Sequence, residues 1–96
     1  MYYSKKEYKF IRFERSRTKH KKYDGILQNK KTKRYVRVPF GSSSHEQYHD
    51  SSGLKLYSHL DHGDSKRRIN YKKRHSVFIK PGYYSPGDFA LRFLWT

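Results

Sequence analysis

Two pairs of histidines in this chain invite metal or acid–base chemistry. His45 and His49 stand four residues apart and His59 and His62 three apart, with Asp50, Asp61 and Asp64 close by. Two imidazoles one helical turn apart, joined by a carboxylate, can form a three-ligand zinc site. The string His45-Glu46-Gln47-Tyr48-His49 also satisfies the HExxH pattern, in which two histidines hold zinc and the glutamate acts as general base. Its flanks argue against that use: Ser42-Ser43-Ser44 precede it and Asp50-Ser51-Ser52-Gly53 follow it, which limits any helix there to about two turns. His45, His49, His59 and His62 therefore rank as a weak metal candidate against a plainer role in surface hydrogen bonding. Asp61-His62-Gly63-Asp64 carries the same choice. It can pair a general base with a metal in a small nuclease, or Asp64 can cap a following helix, Gly63 take a left-handed turn, and Asp61 or His62 pair with an arginine.

The stronger chemistry is cationic. Lys66, Arg67, Arg68, Lys72, Lys73 and Arg74 follow one another with Tyr71 interleaved. Guanidinium groups fork onto phosphates or carboxylates, and a tyrosine can stack or hydrogen-bond on the same surface. A second basic group, Arg15, Arg17, Lys19, Lys21 and Lys22, lies in a stretch with almost no apolar residue. The formal charge of the 96 residues is +15, and a chain this small repels itself unless an anionic surface meets it. Nucleic acid is the commonest such surface, with acidic protein surfaces as the other choice. No RNP, homeodomain or zinc-finger spacing is present, so nothing supports sequence-specific readout. The plain alternative for both groups is a solvated, charged face.

With no cysteine in the sequence, disulfides and cysteine-ligated zinc fingers are excluded. No stretch has the roughly 20 apolar residues of a membrane span, and the N-terminus has no signal-peptide run, so no membrane partner is expected. A chain of this length supports one domain with a thin core. Ten Tyr and six Phe must supply much of that core, because aliphatic residues are few.

The elements that would position these groups read as α+β. Residues 5–15 alternate loosely and predict a strand, 16–22 a basic loop, 23–28 a second strand, 29–33 a turn and 34–40 a third strand with Val36, Val38 and Phe40 on one face. Pro39 assigns that strand to an edge. The first forty residues thus predict a three-stranded antiparallel meander carrying charge on one side, either an anion-binding face or ordinary edge protection. His45–Asp50 predicts one or two helical turns capped by Ser43 or Ser44. Leu54, Leu56, Tyr57 and Leu60 form a short apolar anchor. Asp64 is placed to cap a helix over 65–75, and Ser85-Pro86-Gly87-Asp88 opens a C-terminal helix whose Phe89, Ala90, Phe93 and Leu94 donate to the core. Trp95 either closes that core or projects as an interface anchor. Residues 1–22 form a basic arm that can include the first strand, and 23–96 a small α+β domain with short helices.

Phe40-Gly41, Glu46 to Asp50, Gly53-Leu54, Tyr57-Ser58-His59, Asp61-His62-Gly63-Asp64, Arg67-Arg68, Tyr71, Arg74-His75, Gly82 to Gly87 and Leu94-Trp95 together resemble a family of small basic proteins encoded by large nucleocytoplasmic DNA viruses. The resemblance covers about residues 23–95, and that family carries glycine in the turn where this chain has Lys33. It implies a virion setting, with host cytoplasm or nucleus during assembly. The resulting expectation is a non-enzymatic structural protein, a minor capsid or core-associated component bridging larger viral structural proteins. The alternative is a nonspecific nucleic-acid binder that coats or compacts viral DNA or RNA. Neither reading calls for a cofactor or a small-molecule substrate.

Overall fold

The computed structural model describes residues 2–96. Its central element is a three-stranded antiparallel sheet in the order β2-β3-β4, formed by β2 (Tyr8–Arg15), β3 (Lys21–Asn29) and β4 (Tyr35–Ser42). The meander read from the sequence is thus present, and β2 belongs to the sheet rather than to a separate arm. β1 (Tyr3–Ser4) pairs with β5 (Tyr83–Tyr84), tying the start of the chain to a segment near its end. Two helices complete the fold, α1 (Ser65–His75) and α2 (Pro86–Phe93).

Register decides which residues meet. Tyr23 lies opposite Phe40, Gly25 opposite Val38 and Leu27 opposite Val36, while Phe13 pairs with Gly25 on the other side. A bulge between Phe10 and Arg12 resets the alternation, so that Phe10 and Phe13 contact each other and both reach α2. On this face α2 lays down Phe89, Ala90 and Leu94, which with Phe13, Tyr23, Leu27, Val38 and Phe40 make the buried core. Four of these eight residues are aromatic rings, as the composition predicts. Phe89 sits directly over Gly25: a Cβ there would lie 2.7 Å from the ring.

The opposite face is closed by charge. Ile26 is buried there beneath a chain of ion pairs in which Arg37 donates to both Glu14 and Asp24, and Arg12 to Glu14. Ser16 and the Arg17 amide add two more bonds to the buried Asp24 carboxylate. The charged sheet face is therefore self-neutralised rather than free for an anion.

Local chemistry explains both helices. The Asp64 carboxylate accepts from the Lys66 and Arg67 amides, and Ser85 Oγ accepts from the Asp88 amide with Pro86 beginning the helix. The β3–β4 turn is held by Asn29, whose side chain accepts from the amides of Lys31 and Thr32. Lys33 takes the left-handed conformation there, φ 65°, in the place where glycine is favoured.

Two expectations need correction. His45–Asp50 is not helical. Gln47 instead forms a bridge with Asp61, and the serine-rich flanks leave no apolar stripe to hold a helix against the core. Nor do Leu54 and Leu56 anchor their segment, since both are exposed. The anchor is polar. The Tyr23 hydroxyl donates to Asp50 at 2.5 Å and accepts from the Leu56 amide, and Asp50 also takes the Ser52 hydroxyl and the Tyr57 amide. Asp61 accepts from the Gln47 side chain and the Asp50 amide. The amides of His49 and Ser51 reach the carbonyls of Leu94 and Phe93, satisfying the end of α2, whose last carbonyls have no partner within the helix.

Candidate functional site: a cationic groove

A groove of about 1070 Å³ runs between α1 and the loop that leaves β4. One wall is α1, whose Arg67, Asn70 and Arg74 face it, and the other is Ser42 to Glu46. Ala90, Leu94 and Trp95 form its floor, with Lys22 at its side. Gly41 allows this close approach: its φ is 74°, and a Cβ would come within 2.8 Å of Leu94.

α1 buries none of its residues fully, yet it is seated firmly. Arg68, Tyr71, Lys72 and His75 turn inward at helical spacing and are only partly exposed, while Lys66, Arg67, Lys73 and Arg74 face solvent. The Tyr71 ring lies parallel to Trp95 at 4.1 Å and is stacked on His75, also at 4.1 Å. Two rings that close must occupy opposite faces, so Tyr71 is sandwiched and has no face left for a ligand. Burial raises its phenol pKa above the ordinary value. Trp95, offered by the sequence as an interface anchor, stacks within the molecule and also packs on His62. Arg68 stands over the Tyr48 ring at 4.9 Å, which turns it inward as well.

The second basic group divides. Arg17, Lys19 and Lys21 are exposed around the β2–β3 turn, and Arg15 stands over Tyr57. Lys22 does not belong with them. It is 2% exposed, and its ammonium donates to the His45 carbonyl at 2.6 Å. Burial pulls its pKa down to about 8, against the opposing pull of Asp50 and Asp61. A lysine expected as a surface cation is therefore a buried charge beside the groove. Of the residues singled out by sequence, the groove gathers Lys22, Arg67, Tyr71, Lys73, Arg74, Trp95 and His45. Lys66, Arg68, Lys72, Arg15, Arg17, Lys19 and Lys21 lie outside it.

The histidines are dispersed. His45 lines the groove, His49 pairs with Asp61 at 3.2 Å, His59 is near Tyr57, and His62 sits between Tyr48 and Trp95. Among the described residues no group of three His, Cys, Asp or Glu is placed to hold a metal ion. Asp61 pairs with His49 rather than with an arginine. Gly63 takes its left-handed turn, φ 63°.

Sequence reasoning missed Glu46 as part of the rim. It reaches across to Arg67 at 3.3 Å and is the one acid lining the groove. Because the two residues are 21 apart, no local pattern marks the pair. Leu94 and Ala90 were legible as core but not as floor, because they serve both.

Fold and site together define a small α+β domain with a basic groove on an apolar floor. Among the described residues no helix is long and apolar enough to cross a membrane. No family model matches the chain, and comparison with curated proteins and with solved structures likewise returns no match.

Proposed function

We propose that this protein binds nucleic acid without sequence preference through the groove and the basic surface around it. The observation that carries this reading is the charge of the rim, where Arg67, Lys73 and Arg74 face a single acid, Glu46. Chain-wide, 23 Lys and Arg against eight acids leave a large excess with no acidic partner in the molecule. Such an excess is met most favourably by phosphates whose counterions are released on binding.

Fluorescence anisotropy with a labelled 20-base-pair duplex tests this over about 50 to 200 mM salt, where a phosphate-driven complex loses affinity steeply and log K falls linearly with log salt. Replacing Arg67 and Arg74 together by Gln should weaken binding and flatten that slope, while the same change at Lys30 and Lys31, in the β3–β4 turn, should do much less. Absence of binding at about 0.1 M salt, where nonspecific binders act, ends the proposal.

One observation favours a second reading, a structural role bridging larger components of a virus particle. Val77 and Phe78, just after α1, are 76% and 66% exposed and form an apolar projection suited to a protein contact. Under that reading, serine at both positions removes incorporation into particles and leaves nucleic-acid affinity unchanged. Unaltered incorporation of that variant would rule it out.

A further inference from the structure

The groove combines two features that a duplex backbone does not use together. Its rim is cationic, but its floor is apolar: Ala90 and Leu94 lie beneath it, 7% and 1% exposed, and the accessible part is Trp95. Bases in a duplex are stacked inside, and a phosphate ridge laid across the rim would leave the floor uncovered. We propose that the groove receives an unpaired nucleotide of a single strand, with its base against the exposed part of Trp95 and its phosphates on Arg67 and Arg74. This deepens the nucleic-acid reading and rests on it.

Three observations carry it. The groove volume of about 1070 Å³ lies just above the range of small-molecule sites, about 300–1,000 Å³, and leaves room for a nucleotide. Arg67 and Arg74 are seven residues apart on α1, about 10 Å along the axis at 1.5 Å per residue. Two long side chains rising from one helix face can converge on neighbouring phosphates, and Asn70 lies between them, with an amide able to donate to and accept from a base edge. The Lys22 ammonium is buried at the side of the groove, where it donates to the His45 carbonyl and adds a positive charge beneath the rim that favours an entering phosphate. Tyr71 is not the stacking platform, because both its faces are taken. Its part is to hold Trp95 in place.

Trp95 is the only tryptophan in the chain, so its emission reports on the floor. The test titrates wild-type protein with an eight-residue oligothymidylate, its oligouridylate counterpart and a hairpin duplex at equal salt, following anisotropy and tryptophan emission together. Ser44→Phe serves as a plug: Ser44 is exposed and lines the groove, so a ring there fills the groove while every core residue and rim cation is kept. The expected result is single-strand affinity about tenfold above duplex, with quenched emission, both lost in Ser44→Phe while duplex affinity holds. Duplex binding equal to or tighter than single-strand binding, with tryptophan emission unmoved, overturns the nucleotide site and leaves the polyanion reading intact. If no nucleic acid binds at all, both fall. A Ser44→Phe variant that binds single strands as wild type also overturns the site.

Discussion

Replacing Lys22 by Met probes the most unexpected feature of the structure, a buried ammonium beside the groove. Burial lowers its pKa from 10.5 to about 8, even though Asp50 and Asp61 pull the other way. Below pH 8 both folded and unfolded chains carry the proton, and the full cost of burying the charge is present. Between pH 8 and 10.5 the unfolded chain keeps a proton that the folded chain has released, so stability rises with pH. At about 1.36 kcal/mol per pH unit the whole span corresponds to about 3 kcal/mol, most of which accrues between pH 7 and 10. Tyr23 acts with the opposite sign. Burial, and then its bond to Asp50, raises its pKa to about 12, so above pH 10 the unfolded phenol ionises first and stability declines. Wild-type stability should therefore peak near pH 10. In Lys22→Met the rise disappears, and at pH 7 the variant should be about 1–2 kcal/mol more stable, the lost bond to the His45 carbonyl taking back part of the gain. Urea unfolding followed by Trp95 emission at pH 7, 8, 9 and 10 measures this, with exposed Lys21→Met as a control that tracks wild type. Parallel pH profiles for wild type and Lys22→Met would refute the reasoning.

The other predictions concern the polar anchor, the sheet and the rim. Burial pushes the Asp50 carboxyl up, but hydrogen bonds from Tyr23, Ser52 and Tyr57 outweigh it and leave its pKa below the ordinary 3.8. It therefore adds stability above pH 3.8 that is lost as pH falls through its folded value. Asp50→Asn should cost about 2–3 kcal/mol at pH 7 and flatten the acid limb of a thermal-melt series. Gly25→Ala places a methyl group 2.7 Å from Phe89 and should cost about 1–3 kcal/mol, partly recovered when Phe89→Leu is added, as chemical denaturation will show. Glu46→Gln releases Arg67 from an exposed pair worth less than about 1 kcal/mol. Anisotropy titrations should show nucleic-acid affinity rising a few-fold with the melting temperature almost unchanged.

Features fixed by near neighbours were the legible ones. The β4 alternation with Pro39, the Asp64 cap and the Ser85-Pro86 opening each rest on residues within four positions of one another, and all are found as read. The 45–61 segment was misread because its partners are distant. Gln47 meets Asp61 14 residues on, Tyr23 meets Asp50 27 away, and Lys22 meets the His45 carbonyl 23 away. None of these pairs leaves a periodic trace. Tyr71 was correctly placed on the basic helix, but its role reversed once Trp95, 24 positions later, occupied one face of its ring and His75 the other. The candidate site was thus visible as a list of cations, while its shape was not, since the floor comes from α2 and one wall from a loop without regular structure.

That same loop accounts for how strongly the outer field is cationic. Of the eight acidic residues, Glu14 and Asp24 are spent on Arg37, Asp88 on Arg92, Asp64 on the first turn of α1, and Asp50 and Asp61 on the interior of the 45–64 segment. Six acids thus serve the fold, and they draw in few of the cations in exchange. Arg37 and Lys22 turn inward, whereas Arg67, Lys73 and Arg74 remain at the surface. A thin aromatic core would gain from more apolar burial, but the polar anchor does something apolar residues could not. It holds the loop against the sheet through hydrogen bonds from buried side chains, Tyr23 to Asp50 and Gln47 to Asp61. The acids that first suggest catalysis in the sequence, Asp50, Asp61 and Asp64, are on this account held by the fold, and the rim cations are left with Glu46 alone.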